Sequence, residues 1–397
     1  MITFIKNITI ALAGIIVSLI IVVAMSYIEE KNNRNLAVVE IGEEETGDGI
    51  EIEEIIEGIE IVKESEKDSP TPEEPKVLIE AEEDEIIKMS LPNLDSEILD
   101  LIVIPPIENK ITLSINEVNS RTRNALVNII CMSQQGGLFQ PITGSGIIID
   151  NRGVIITNAH IAQYYLLKDY IVPNFLDCII RTGSPAVNTY KAELLYISSS
   201  WIVDNFQKIA ESSPKGTGKD DFALLLITET TKPNTTLPAE FPFIPPDIRG
   251  EEPKVGDFVV AAGYPAGFLG GTSIQKDLHA VSTVTQIEKV FTFKENTLDL
   301  FSVGGSIAAQ KGSSGGGVVS LTGKLLGIVV TASEEVQTDD RDLRAISSFH
   351  INESMKNDTG GVDLNNYLLG DLFAKSLQFK NIIAPGLTAL LESAFLN

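Results

Sequence analysis

Histidine, cysteine and tryptophan are scarce in this 397-residue chain, which has three, two and one of them respectively. No Cys/His spacing suits zinc, and no metal or cofactor is called for. No cysteine precedes Cys131, which excludes an N-terminal lipoprotein anchor. Basic side chains are outnumbered as well, 30 Lys and Arg against 55 Asp and Glu, a formal net charge of -25. The imbalance is local: residues 29–110 hold 26 acidic and 7 basic side chains, whereas residues 111–397 hold 29 and 22. An acidic arm beside a mildly acidic globular part offers no basic footprint for phosphates, so nucleic-acid binding is disfavoured. The 31 Gly and 18 Pro are ordinary and exclude a collagen-like or low-complexity protein. With 43% hydrophobic residues the chain can bury a core, in one large or two modest units.

What is there begins with an uncharged apolar run of 22 residues, Asn7 to Ile28. At about 1.5 Å per residue it spans a hydrocarbon layer of roughly 30 Å. It reads as a transmembrane anchor; a cleaved signal peptide, with Ala24-Met25-Ser26 as the small-x-small site, is the rival that would make the protein secreted. Lys6 precedes the run, and Glu29, Glu30, Lys31 and Arg34 cancel after it. The positive-inside bias then leaves the N-terminal tip in the cytoplasm, with residues 1–28 as tip and anchor and the rest outside. Residues 29–110 alternate Glu with Ile and pass through Pro70, Pro72 and Pro75. Like charge and proline keep such a stretch extended, as a stalk or linker. Cys131 and Cys178 sit in apolar runs, where one disulfide and two buried thiols are equally admissible.

From about residue 112 short β-rich runs are separated by Gly, Pro, Asn and Asp turns, at 125–132, 144–149, 153–157, 176–182, 191–197, 222–228, 257–262, 280–288, 316–321 and 325–332. Such spacing predicts an all-β architecture of two barrels. The proline-dense link Pro238–Pro253 divides residues 111–360 into an N-barrel at 111–237 and a C-barrel at 254–355. No dinucleotide or P-loop glycine pattern follows a strand. The tail 361–397, with Leu364, Leu368, Leu372 and Phe373, predicts one amphipathic helix to about residue 379, with Pro385 barring further helix.

Three segments carry chemistry. Gly144-Ser145-Gly146 opens an apolar strand, Gly153 turns it, and a second strand runs through Thr157-Asn158-Ala159 into His160. A general base needs that fixed placement at a strand end. His279 and His350 lack any such setting and read as structural. Asp220-Asp221 precedes the apolar run Phe222–Ile227, where an acid can accept the imidazole N–H and orient the ring. Finally, Gln310-Lys311-Gly312-Ser313-Ser314-Gly315-Gly316-Gly317 surrounds a serine pair with glycines. A tight turn there aims the amides of Gly312 and Ser314 at one point, as an oxyanion hole.

Together these segments resemble trypsin-like serine proteases, and within them the HtrA/Deg-type branch. The resemblance covers about 112–355 and rests on Thr157–His160, Gly144–Gly146, the acid before Phe222-Ala223-Leu224, Ser314 as third residue of the G-x-S-G-G pattern, and Gly263-Tyr264-Pro265-Ala266-Gly267. It implies two six-stranded antiparallel β-barrels of the chymotrypsin type. It further implies a His160–Asp221–Ser314 triad for cleaving protein or peptide substrates, with no cofactor. Ser313 and Gly317 depart from the usual Asn/Asp and Pro of the pattern. The interval between His160 and Asp221 is longer than in compact Deg-type enzymes, and its excess, around Trp201 to Lys219 and in part of the segment after His160, is expected to be surface loop. Some 40 residues follow the barrels, too few for a PDZ domain. Family alignment puts the specificity pocket at Ala308 with a wall along Val329, Val330 and Thr331, and a pocket without an acid favours small or medium apolar side chains. The expected function is a membrane-anchored extracytoplasmic serine endopeptidase with a place in protein quality control, compatible with a homo-oligomer. Its rival is a catalytically silent, chaperone-like binding module on the same fold.

Overall fold

In the computed structural model, the described residues are 112–396, apart from 134–140, 212–215, 251, 268–270, 294–296, 306–309 and 333–341. The expected anchor and the acidic linker lie outside them. Among the described residues no helix is long and apolar enough to cross a membrane.

The first element is a helix that the strand reading overlooks. Ser114 caps α1 (Ile115–Ala125), its hydroxyl accepting from the Glu117 amide. Ser-x-x-Glu is a helix-start signal, and the acid in the first turn suits the helix dipole. Val118, Thr122 and Ala125 form its buried face.

Six strands then close a barrel in the order β1-β2-β3-β6-β5-β4. They are β1 (Leu126–Ser133), β2 (Ile142–Asp150), β3 (Val154–Thr157), β4 (Leu176–Thr182), β5 (Val187–Ile197) and β6 (Ala223–Thr230). All pairings are antiparallel. Closure leaves no unpaired edge. Ile129, Ile147, Ile155, Leu195 and Leu225 are among the fully buried side chains of this barrel. Cys131 stands directly opposite Cys178 in the β1–β4 ladder, and the two are disulfide-bonded. The alternative that sequence alone left open is thereby decided. The bridge closes a 47-residue interval. Replacing both cysteines by alanine should cost about 2–4 kcal/mol and lower Tm by roughly 5–15 °C, read by thermal denaturation with and without reductant.

The second sheet differs from the expected six-stranded barrel. Among the described residues it has seven strands, in the order β8-β7-β11-β12-β13-β10-β9. These are β7 (Phe258–Gly263), β8 (Val281–Gln286), β9 (Lys289–Phe291), β10 (Leu300–Ser302), β11 (Gly317–Ser320), β12 (Leu325–Ala332) and β13 (Leu343–Ser347). The extra strand comes from a break in one run, since the two edge strands β8 and β9 are joined by only Ile287 and Glu288. Ile287 exchanges backbone bonds with Gly256 and Asp257 on the β7 side, whereas the Glu288 amide donates to Ser302 of β10. The chain thus passes from one edge of the sheet to the other. Phe301, Val318, Val259 and Ala345 fill a small core of their own here, while Val260, Ile328 and Ile346 join the main core. Two barrel-like antiparallel sheets of this kind fit the chymotrypsin fold.

The interval between His160 and Asp221 is more structured than expected. It contains α3 (Ser199–Asn205) and a 3-10 turn at Phe206–Ala210, and Trp201, Ile202 and Ile209 are buried rather than on the surface. Before them, α2 (Ala159–Ala162) directly follows β3. In the second half α4 (Gly271–Lys276) precedes β8.

The tail also departs from a single helix. After α5 (Ser348–Thr359), it comprises α6 (Leu364–Tyr367), α7 (Leu372–Ile382) and α8 (Ala384–Ser393). Gly370, at φ 79°, breaks the run before α7, and Asp371 caps α7 through the Ala374 amide. Pro385 begins α8 instead of barring it, because proline in a first turn lacks only an N–H that would have no intrahelical partner. Leu364, Leu368 and Leu372 are buried, but Phe373 faces solvent at 63% exposure. The tail returns to the first barrel. Tyr367 donates to the Leu195 carbonyl, Ser376 to that of Leu194 and Thr388 to that of Leu166.

Candidate active site

His160 sits in the short helix α2, immediately beyond β3. Its Nδ1 lies 2.7 Å from Asp221 Oδ2, and its backbone amide donates to Asp221 Oδ1 at 2.9 Å. One carboxylate therefore grips both ring and backbone. An ionised carboxylate only accepts, so Nδ1 carries hydrogen and Nε2 is left with the free lone pair. Asn158 adds a third tie, its Nδ2 donating to the Asp221 carbonyl at 2.8 Å. The Asp221 side chain is 8% exposed against 32% for that of His160, so the acid is buried beneath a ring that reaches solvent. Burial pushes the imidazole pKa down, but the charge and hydrogen bond of Asp221 outweigh it and hold the pKa above its ordinary value of 6.5.

The serine loop is built on glycines at positive φ. Gly312 has φ 97° and Gly315 φ 84°, a backbone conformation that L side chains rarely adopt. A Cβ on Gly312 would lie 2.6 Å from the Tyr264 carbonyl oxygen. The Gly315 amide donates to the Val329 carbonyl and the Ser145 amide to the Ser314 carbonyl, at 2.8 and 2.7 Å. Among the described residues, no acceptor is found for the amides of Gly312 and Ser314. Both donors are therefore free for an anion.

Sequence reasoning gave Ser145 no role, yet it is the bolt of the site. Its hydroxyl donates to the Gly312 carbonyl and accepts from the Tyr264 amide, at 2.7 and 2.8 Å. Its own carbonyl accepts from Thr157 Oγ1 at 2.7 Å. Through Ser145 the serine loop is fastened to β2, to β3 three residues before His160, and to the Gly263–Gly267 turn. That turn adds a bond from the Ala266 amide to the Lys311 carbonyl at 2.7 Å. The flanking glycines make room: a Cβ at Gly144 would press on Ile161 and one at Gly146 on Ile155. The Gly-Ser-Gly pattern was thus the visible signal, small residues facing one way and a hydroxyl the other.

Both departures from the family pattern have a local setting. Ser313 is 1% exposed, with its side chain against Gly263 and its Oγ unpartnered among the described residues. At Gly317 the space for a side chain is taken by Ile147, whose Cγ1 would stand 2.7 Å from a Cβ.

The structure thus brings His160 and Asp221 into direct contact and ties the Ser314 loop beside the strand that leads to them. No hydrogen bond joins Ser314 Oγ to the imidazole among the described residues. Of the expected pocket, Ala308 lies outside the described residues, Val329 and Val330 are buried, and only the backbone of Thr331 is described. His279 stands apart, 3.1 Å from Ser184 Oγ. Among the described residues no cluster of His, Cys, Asp and Glu could hold a metal.

Residues 144–328 match the family model of the trypsin-like peptidase domain. Those residues are a trypsin-like peptidase domain. The match begins at the Gly-Ser-Gly strand and takes in His160, Asp221 and Ser314. In solved structures the domain is similar to the Rv3671c protease from M. tuberculosis in its active form, at 18% identity and a TM-score of 0.37, over 62% of this chain and 85% of that one. It is also similar to the serine endoprotease from Yersinia pestis, at 23% identity and a TM-score of 0.37, over 64% of this chain and 70% of that one. Overlaps this loose transfer no residue's role. A search of curated proteins finds no match.

Proposed function

We propose that this peptidase is a membrane-anchored extracytoplasmic endopeptidase of HtrA/Deg type, cutting protein substrates through His160, Asp221 and Ser314. The observation that carries the reading is the double grip of Asp221 on His160, with Nε2 left free on a ring that reaches solvent. In the proposed reaction Ser314 Oγ attacks the peptide carbonyl while His160 Nε2 takes its proton. Asp221 stabilises the resulting imidazolium, and the Gly312 and Ser314 amides hold the tetrahedral oxyanion. His160 then protonates the leaving amine, and water, activated by the same imidazole, releases the acyl group and restores the serine. Anchoring is supported by the Asn7–Ile28 run, and export is compatible with the Cys131–Cys178 bridge.

Labelling with a fluorophosphonate probe tests the reading. The probe is expected on Ser314 of the wild type and absent from the His160→Ala variant. Failure of the folded wild type to label would favour the silent binding module. The pH profile follows from the imidazole. Since protonated His160 is no base and its pKa is raised, the labelling rate should fall through an inflection above 6.5 as pH drops. An inflection below 6.5 would contradict the Asp221 contact.

A further inference from the structure

A second histidine–carboxylate cluster lies directly behind the first. His350, in the first turn of α5, has Nδ1 2.6 Å from Asp299 Oδ1 and Nε2 2.9 Å from Asp220 Oδ1. Asp220 is the immediate neighbour of Asp221. The three side chains are nearly enclosed, at 11% exposure for His350, 6% for Asp299 and 16% for Asp220. Two ionised carboxylates can only accept, so both ring nitrogens must donate and His350 is an imidazolium. Burial pushes its pKa down, but the hydrogen bonds it donates to Asp220 and Asp299 prevail and hold it above the ordinary value.

Each partner is fixed by its own backbone. Asp299 stands before β10, accepts from Thr297 Oγ1 and from the Phe293 amide, and takes the Ser347 amide on its carbonyl. Ser347 caps α5 through the His350 amide. On the other side Asp220 has φ 56°, a left-handed conformation that a non-glycine residue holds at a cost. Its carbonyl accepts from Phe222, and the Asp221 amide reaches the Gly218 carbonyl at 3.3 Å. The turn that presents Asp221 is thus twisted, and His350 and Ser354 anchor it through the Asp220 side chain.

We infer that His350 is a positioning residue: clamped to Asp299 of the second sheet, it holds the Asp220 turn of the first barrel so that Asp221 stays aimed at His160. The inference rests on the triad reading above. The charged groups facing His350 are Asp299 and Asp220, with Lys219 Nζ 3.9 Å from the latter; Ser354 also bonds Asp220, and Phe293 lies edge-on to the ring. None of these touches Ser314 in the described structure. The clamp therefore acts on the acid, not on the nucleophile.

The test is the fluorophosphonate labelling rate of the full chain against pH, for the wild type, His350→Gln and Asp299→Asn. Misaiming Asp221 should slow His350→Gln by roughly ten- to a hundredfold. It should also move the acid inflection down toward about 6.5, because His160 loses the carboxylate that raises its pKa. Asp299→Asn should shift both quantities the same way by less. A purely structural role would lower Tm without moving the inflection, and that result overturns the inference. So does a His350→Gln variant with wild-type rate and inflection. If His350→Gln does not fold, Asp299→Asn decides, an unmoved inflection counting against the clamp. A wild type that never labels defeats the triad reading itself, an outcome distinct from any difference between variants.

Discussion

Ser314→Ala should abolish turnover of an unfolded protein substrate, by about 10⁶-fold, the size seen when the serine of an analogous triad is removed. The fold should survive the change. Ser314 is outside the positive-φ set and only partly buried, so removing one oxygen leaves no enclosed cavity. Its backbone keeps the bond from the Ser145 amide. Tm within about 1–2 °C of the wild type is therefore expected alongside the lost activity. Residual cleavage within tenfold of the wild type would remove Ser314 from the nucleophile's place, with buried Ser313 the next residue to examine.

Gly315→Ala should damage both stability and activity. The position has φ 84°, which costs an L-residue about 1–2 kcal/mol. A Cβ there would run into the Ser145 carbonyl oxygen and lie 2.5 Å from Thr157 Oγ1. Neither is the free end of a flexible side chain, so the serine loop must retreat from β2. Retreat breaks the bond from the Ser145 amide to the Ser314 carbonyl and misplaces the amides of Gly312 and Ser314. We expect a total loss of at least about 3 kcal/mol and labelling reduced by roughly a hundredfold or more. Gly256→Ala is the control, since φ is 93° but no heavy atom lies within 4 Å of its added Cβ. It should lose only about 1 kcal/mol and label normally. Equal losses at the two glycines would mean that backbone strain, not the clash with Ser145, governs Gly315.

What could be read in the sequence was local. The His160 and Asp221 segments each join a short apolar strand to a polar residue at its end, and eight neighbours suffice to reveal that. The Ser314 loop shows itself by its glycines. Ser145 and His350 reach their partners across 167 and 130 positions, and nothing near them in the chain announces those partners. β10 spans only Leu300–Ser302, too short for alternation to show, and Arg344 interrupts the apolar pattern of β13. The reverse happened in the tail, where a proline read as a stop is a start. There tertiary packing and the position of the residue in its turn decided, rather than its general propensity.

The strap that the last helices lay over the first barrel sets a timetable for biosynthesis. Thr388 meets Leu166 across 222 positions. At about 5–20 residues per second, a ribosome delivers the second partner roughly 10–45 s after the first. During that interval the nascent N-terminal half exposes the apolar seat of α7 and α8 to any holdase or neighbouring chain. Docking of α8 on the first barrel thus waits until Thr388 has been made.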